Sequence, residues 1–143
     1  MARISLFDKT EQKTMTLIKN VAQQMGSTDM ERSYMILRAV LHATRDRLIP
    51  DEAVQFGAQL PTLVRGVYYE GWHPHDKPDK YRHKSDFLAE IRREVPKLDE
   101  PQLERAATAV FETLEQQMPG GELRQVRQSL PEELRELWPS PGM

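Results

Sequence analysis

The 143-residue sequence contains no cysteine. Disulfides, thiolate metal centres and thiol nucleophiles are therefore excluded. It has no long apolar run: nothing approaches the roughly 18 residues needed to cross a bilayer. No membrane partner is expected. Charge of one sign is also lacking. Residues 1–70 carry nine Lys and Arg against eight Asp and Glu, and residues 71–143 carry eleven against fourteen. Neither half has the basic excess that contact with a phosphate backbone needs, so no nucleic-acid partner is expected. There is no Gly-x-Ser-x-Gly elbow and no Gly-rich phosphate loop. No segment alternates with period two, so strands are not expected. The segment from Met1 to Phe7 holds one charge and too short an apolar stretch for a secretory signal. These absences describe a soluble, cytoplasmic, all-α protein.

What is present is a repeat. Shifted by 70 positions, Ala39-Val40-Leu41 falls on Ala109-Val110-Phe111, Leu60-Pro61 on Leu130-Pro131, Val64-Arg65 on Leu134-Arg135, and Val67-Tyr68 on Leu137-Trp138. Upstream, Leu17, Ile18, Val21 and Met25 fall on Phe87, Leu88, Ile91 and Val95. One offset serves residues 17 to 138 without a gap. The matched positions keep apolar character at the spacing of an amphipathic helix. We read two copies of about 70 residues, about 1–70 and 71–143, with a His- and Pro-rich linker at 71–84.

The pattern predicts about eight helices, four per copy. The first of each copy spans about 11–25 and 86–95, the second 29–48 and 100–118, and the third 51–59 and 122–129. The fourth begins at Pro61 and at Pro131. Ser85 is expected to cap the helix at 86–95, and Thr28 with Glu31 or Asp99 with Gln102 has capping-box spacing. Proline disfavours α geometry at the residue before it, so Leu60 and Leu130 should be extended, apolar corners. Pro50 and Pro119-Gly120-Gly121 mark ends. A 70-residue module buries only a modest core. The copies are therefore expected to pack as one compact helical bundle with a pseudo-twofold axis.

The run Leu60-Pro61-Thr62-Leu63-Val64-Arg65-Gly66-Val67-Tyr68-Tyr69-Glu70-Gly71-Trp72 and the upstream Leu37-Arg38-Ala39-Val40-Leu41-His42-Ala43-Thr44-Arg45-Asp46-Arg47-Leu48 carry a resemblance. With the second Leu130-Pro131-Glu132-Glu133-Leu134-Arg135-Glu136-Leu137-Trp138, they resemble DUF2267, a bacterial family of unknown function. The resemblance spans almost the whole chain. It implies a small helical protein and brings no catalytic residues. The His-rich segment after Trp72 is a departure from it.

Candidate sites follow from where the copies differ. Tyr68 matches Trp138, which marks a shared core position. Tyr69 and Trp72 match Pro139 and Gly142 and have no aromatic counterparts, so they are candidates to contact a partner or ligand. His73, His75 and His83, with Asp76 and Asp79 nearby, are of ligand type for Zn or Ni. The competing reading of that segment is a solvated linker stiffened by its prolines. Arg65 and Arg135 match, as do Glu52 and Glu122, and are expected as capping or salt-bridge elements that hold the helix corner, with Glu52–Arg65 and Glu122–Arg135 pairs as one form this could take. His42 matches Glu112 and is expected to be a surface or half-buried residue rather than a catalytic base. With no recognisable chemistry, the leading expectation is a non-enzymatic protein-interaction module, with self-association as one form of it. The alternative is a metal- or small-ligand-binding protein that uses the His-rich segment or an inter-copy cleft.

Overall fold

A computed structural model of the chain describes residues 3–118 and 121–139. Among them are eight α-helices and no strand: α1 Ser5–Gln24, α2 Met30–Arg47, α3 Pro50–Gln59, α4 Thr62–Tyr69, α5 Lys84–Glu94, α6 Glu100–Gln117, α7 Arg124–Gln128 and α8 Glu132–Arg135. A single 3-10 turn, Pro74–Asp76, lies between α4 and α5. The expected all-α fold is what the structure shows. Pro119 and Gly120, expected to end the sixth helix, lie outside the described residues, as does Gly142.

Local chemistry sets most boundaries. Asp99 caps α6 in a reciprocal capping box with Gln102. At α2 the cap is Asp29, one residue later than Thr28; its carboxylate accepts from the Arg32 amide at 3.0 Å. Pro50 opens α3, where its missing N–H costs nothing. Leu60 is extended, with ψ 147°, and Leu60 and Leu130 are both buried corners. Ser85 is not a cap. It lies inside α5, whose first amide is instead taken by Glu133, reaching from α8 at 2.9 Å. α1 starts six residues earlier than its apolar stripe suggests. The added turns are held by Thr10 Oγ1, which accepts from the Leu63 amide at 2.9 Å.

The apolar stripes are buried where the pattern places them. Leu37, Val40, Leu41, Thr44 and Leu48 on one side, and Ala107, Val110, Phe111, Leu114 and Met118 on the other, are all buried. All but Thr44 belong to one contiguous apolar core cluster that draws on both halves of the chain. Tyr68 and Trp138 are fully enclosed in it. Tyr68 donates its hydroxyl to the Ala53 carbonyl, and Trp138 donates its indole N–H to Glu115. Burying these polar tips is tolerable only because each has an acceptor. Between the halves, α2 packs on α5 and α1 on α6, while α2 meets α6 and α3 meets α7.

The matched arginines do not pair with the matched glutamates. Arg65 donates to the carbonyls of Gly57 and Leu60 at 3.0 and 2.9 Å. Arg135 donates to the Leu130 carbonyl at 2.9 Å, seventy positions on. A helix that ends at a Leu-Pro corner leaves its last carbonyls without intrahelical donors. A planar guanidinium one turn into the next helix reaches several of them at once. Of the two roles expected for the matched arginines, capping of the helix corner is the one observed, and the Glu52–Arg65 and Glu122–Arg135 ion pairs do not form.

Candidate functional site

The second half of α2 carries Arg38, His42 and Arg45 at helical spacing on one face, and this face meets α5 and the end of α4. His42 is buried, deeper than the surface or half-buried position expected from its match to Glu112. Its Nδ1 lies 2.8 Å from Glu94 Oε2 on the last turn of α5, and its Nε2 lies 2.7 Å from the Val67 carbonyl in α4. An ionised carboxylate and a carbonyl are both acceptors. Both bonds are therefore made together only when both ring nitrogens carry hydrogen. Arg38 donates to the other oxygen of Glu94 at 2.7 Å. Burial pushes the Glu94 carboxyl up, but the hydrogen bond and charge of His42 and the charges of Arg38 and Arg45 outweigh it. The net effect holds the group below the ordinary carboxylate range.

Arg45 completes the cluster from one turn further on. Its Nη1 donates to the carbonyls of Tyr68 and Glu70, each at 2.7 Å, and its Nε and Nη2 grip Asp46 at 2.8 and 3.1 Å. His42 and Arg45 thus serve the exposed carbonyl end of α4, where cationic groups are favoured by the helix dipole. Gly71 follows with φ +73°, a left-handed turn suited to glycine, and the Trp72 amide donates back to Tyr69 O at 3.2 Å. A cavity of about 290 Å3 lies beside the cluster, lined by His42, Arg45, Asp46 and Glu94 with Glu90 and Arg93.

This exit presents the aromatic pair singled out from the sequence. Tyr69 and Trp72 are half-buried, with ring centroids 5.4 Å apart. Behind them Tyr69 meets Tyr68 edge-on at 4.9 Å, Tyr68 meets Phe56 at 5.3 Å, and Phe56 meets Trp138 at 6.2 Å. Trp138 stacks on Phe111 at 4.3 Å. The two residues are therefore the outer end of an aromatic row that runs through the core. Gly57 makes room for it: a Cβ there would lie 2.5 Å from the Tyr69 hydroxyl and 2.8 Å from its Cζ.

The segment after Trp72 is tied down rather than solvated along its length. The Asp79 amide donates to the Asp46 carbonyl at 2.8 Å, and Arg47 Nε donates to the Tyr81 carbonyl at 2.7 Å. Tyr81 packs against the core, and burial pushes its phenol up. His73 and His75 are exposed, with ring centroids 6.2 Å apart. His83 pairs with Glu133 at 3.0 Å, a bond that holds its imidazole above the ordinary value. Among the described residues, no group of three or more His, Cys, Asp or Glu side chains is placed to hold a metal ion.

The matched positions show where the halves differ. His42, Arg45 and Glu94 correspond to Glu112, Glu115 and Gln24. The α2–α5 crossing carries a charged network. The α1–α6 crossing has a shallow hollow lined by Gln24, Thr108 and Glu112. Gly57 corresponds to Arg127, which donates to the Trp138 carbonyl at 2.9 Å and holds the end of α8 from α7. The first half gives that position to Tyr69 and holds its exit from α2 instead.

Fold and site together describe a small all-helical protein with a fixed aromatic exit at its midpoint. The chain belongs to the DUF2267 family, described as an uncharacterized conserved protein, whose model matches residues 14–137. No curated protein matches the chain. No helix among the described residues is long and apolar enough to cross a membrane.

Proposed function

We propose that the protein is a non-enzymatic interaction module, a single compact domain of two diverged copies, and that its partner surface is the exit between them at Tyr69 and Trp72. The supporting observation is the fixing of that exit. The carbonyls of Val67, Tyr68, Tyr69 and Glu70 each accept a hydrogen bond, and Arg45 supplies two of the donors. Aromatic side chains held in place before binding lose little freedom when they are covered, which is the character of interface anchors. The exchange of contacts between halves fits the two-copy reading. α2 on α5 and α1 on α6 are interchanged by a 70-residue shift, and α2 on α6 and α3 on α7 map onto themselves.

The test is affinity capture with the immobilised protein, run beside Tyr69→Ala and Trp72→Ala variants of unchanged helicity. The proposal expects a protein, or a second copy of this chain, that is retained by the wild type and lost by both variants. Capture of the same set by all three, together with a monomer by light scattering at every concentration, would refute it.

A further inference from the structure

A second cavity, of about 410 Å3, lies between the first turns of α1, the α3–α4 corner and the end of α6. Its size is that of a small-molecule site. Leu17, Leu60 and Met118 form a buried apolar floor, and Leu6, 60% exposed, stands at the rim. Three cations, Lys9, Lys13 and Arg65, line the rest, and no Asp or Glu does. Among the described residues none of the three forms an ion pair. Arg65 uses Nε and Nη2 on the corner carbonyls, which leaves Nη1. The start of α4 also borders the cavity through Thr62, its Leu63 amide already taken by Thr10 Oγ1 at 2.9 Å.

The second corner shows what the first lacks. Seventy positions after Lys13 stands His83, and seventy after Leu63 stands Glu133. Those two pair at 3.0 Å, and Glu133 also takes the Lys84 amide at 2.9 Å. The second corner therefore brings its own carboxylate to the histidine that stands where the first has Lys13. The first has Leu63, 46% exposed, at the carboxylate's position and three cations without an acid.

We infer that this cavity binds an amphiphilic anion, a single short apolar chain ending in a carboxylate or phosphate. The head takes the place at Lys9 and Lys13 that Glu133 fills at the second corner. The chain lies over Leu17, Leu60 and Met118. This site is separate from the aromatic exit and does not depend on it.

Calorimetric titration of the full chain at low salt tests it, with octanoate, octyl phosphate, octanol and inorganic phosphate as probes. One of the two chain-bearing anions should bind one-to-one at least about tenfold more tightly than both octanol and inorganic phosphate, and the tighter of the two identifies the head group. Lys9→Gln with Lys13→Gln, both exposed positions, should weaken that anion about tenfold or more and leave octanol unchanged. Leu6→Ser should weaken it and leave inorganic phosphate unchanged. Octanol binding as tightly as octanoate, phosphate as tightly as octyl phosphate, an unaffected double variant, or no heat from any probe at about millimolar concentration would each overturn the inference.

Discussion

Replacing Arg45 by Met keeps an unbranched chain of similar length but removes the donors to two of the exit carbonyls. Arg45 is 3% exposed. Its loss strands the carbonyls of Tyr68 and Glu70, both bonded at 2.7 Å. Hydrogen bonds from a charged donor contribute about 1.5–3 kcal/mol each, and a buried acceptor left alone costs about 1–3 kcal/mol. Asp46 also loses its fork, but its side chain is 23% exposed and water replaces much of that bond. Relief from burying the guanidinium offsets part of the loss. The expected net destabilisation is about 3 kcal/mol. At a urea slope of about 2 kcal/mol/M, the midpoint falls by about 1.5 M at constant slope. Arg45→Lys keeps the charge without the planar fork and should fall between the two. The chain has two tryptophans, so two indole N–H signals report separately. Trp72's should move in Arg45→Met, and Trp138's, bonded to Glu115, should not. A midpoint shift under about 0.3 M, with both indole signals in place, would refute the assignment of Arg45 as the holder of the exit.

The remaining predictions concern its neighbours. Glu94 has a folded-state value below its unfolded one, so its contribution is complete above the ordinary carboxylate value of 4.5 and is lost as pH falls through the lower folded value. Glu94→Gln should therefore flatten the acid limb of the stability–pH curve, and an unchanged limb in chemical denaturation would count against the His42–Glu94 bond. Gly57→Ala should cost about 1–3 kcal/mol through overpacking against Tyr69. The cost should shrink when Tyr69→Ala is also present; equal costs in both backgrounds by urea denaturation would contradict the contact. Glu133→Gln should lower the His83 titration midpoint toward 6.5, read by NMR, because Glu133 is what raises it. A midpoint that stays put would show the pair is not formed in solution.

The stripes, the Leu-Pro corners and the burial of Tyr68 and Trp138 were legible because each depends on spacing within one segment. The site was only partly so. Tyr69 and Trp72 stood out as aromatics without aromatic counterparts seventy positions on, and the structure places them together at the exit. His42 was misread because a charged match, Glu112, suggested solvent. Its partners lie 52 and 25 residues away, on helices whose crossing no local pattern specifies. The signal was present in the spacing of Arg38, His42 and Arg45, a polar stripe beside an apolar one. The Arg65 and Arg135 match was real, but proline corners leave carbonyls, not carboxylates, as the nearest acceptors. The early start of α1 was hidden because its first turns bury no apolar stripe: Leu6 and Phe7 are exposed. That extension is what supplies Leu6, Lys9 and Lys13 to the cavity beside the α3–α4 corner.

The account depends most on the exit and the segment after it being fixed to α2 by His42, Arg45, Asp46 and Arg47. Backbone order parameters from nitrogen-15 relaxation over residues 67–83 measure this directly. Tethering predicts values near those of the helices, about 0.85, at Tyr68 to Trp72 and again at Asp79 to Tyr81. Values below about 0.6 across those positions, with the helices rigid, would contradict it.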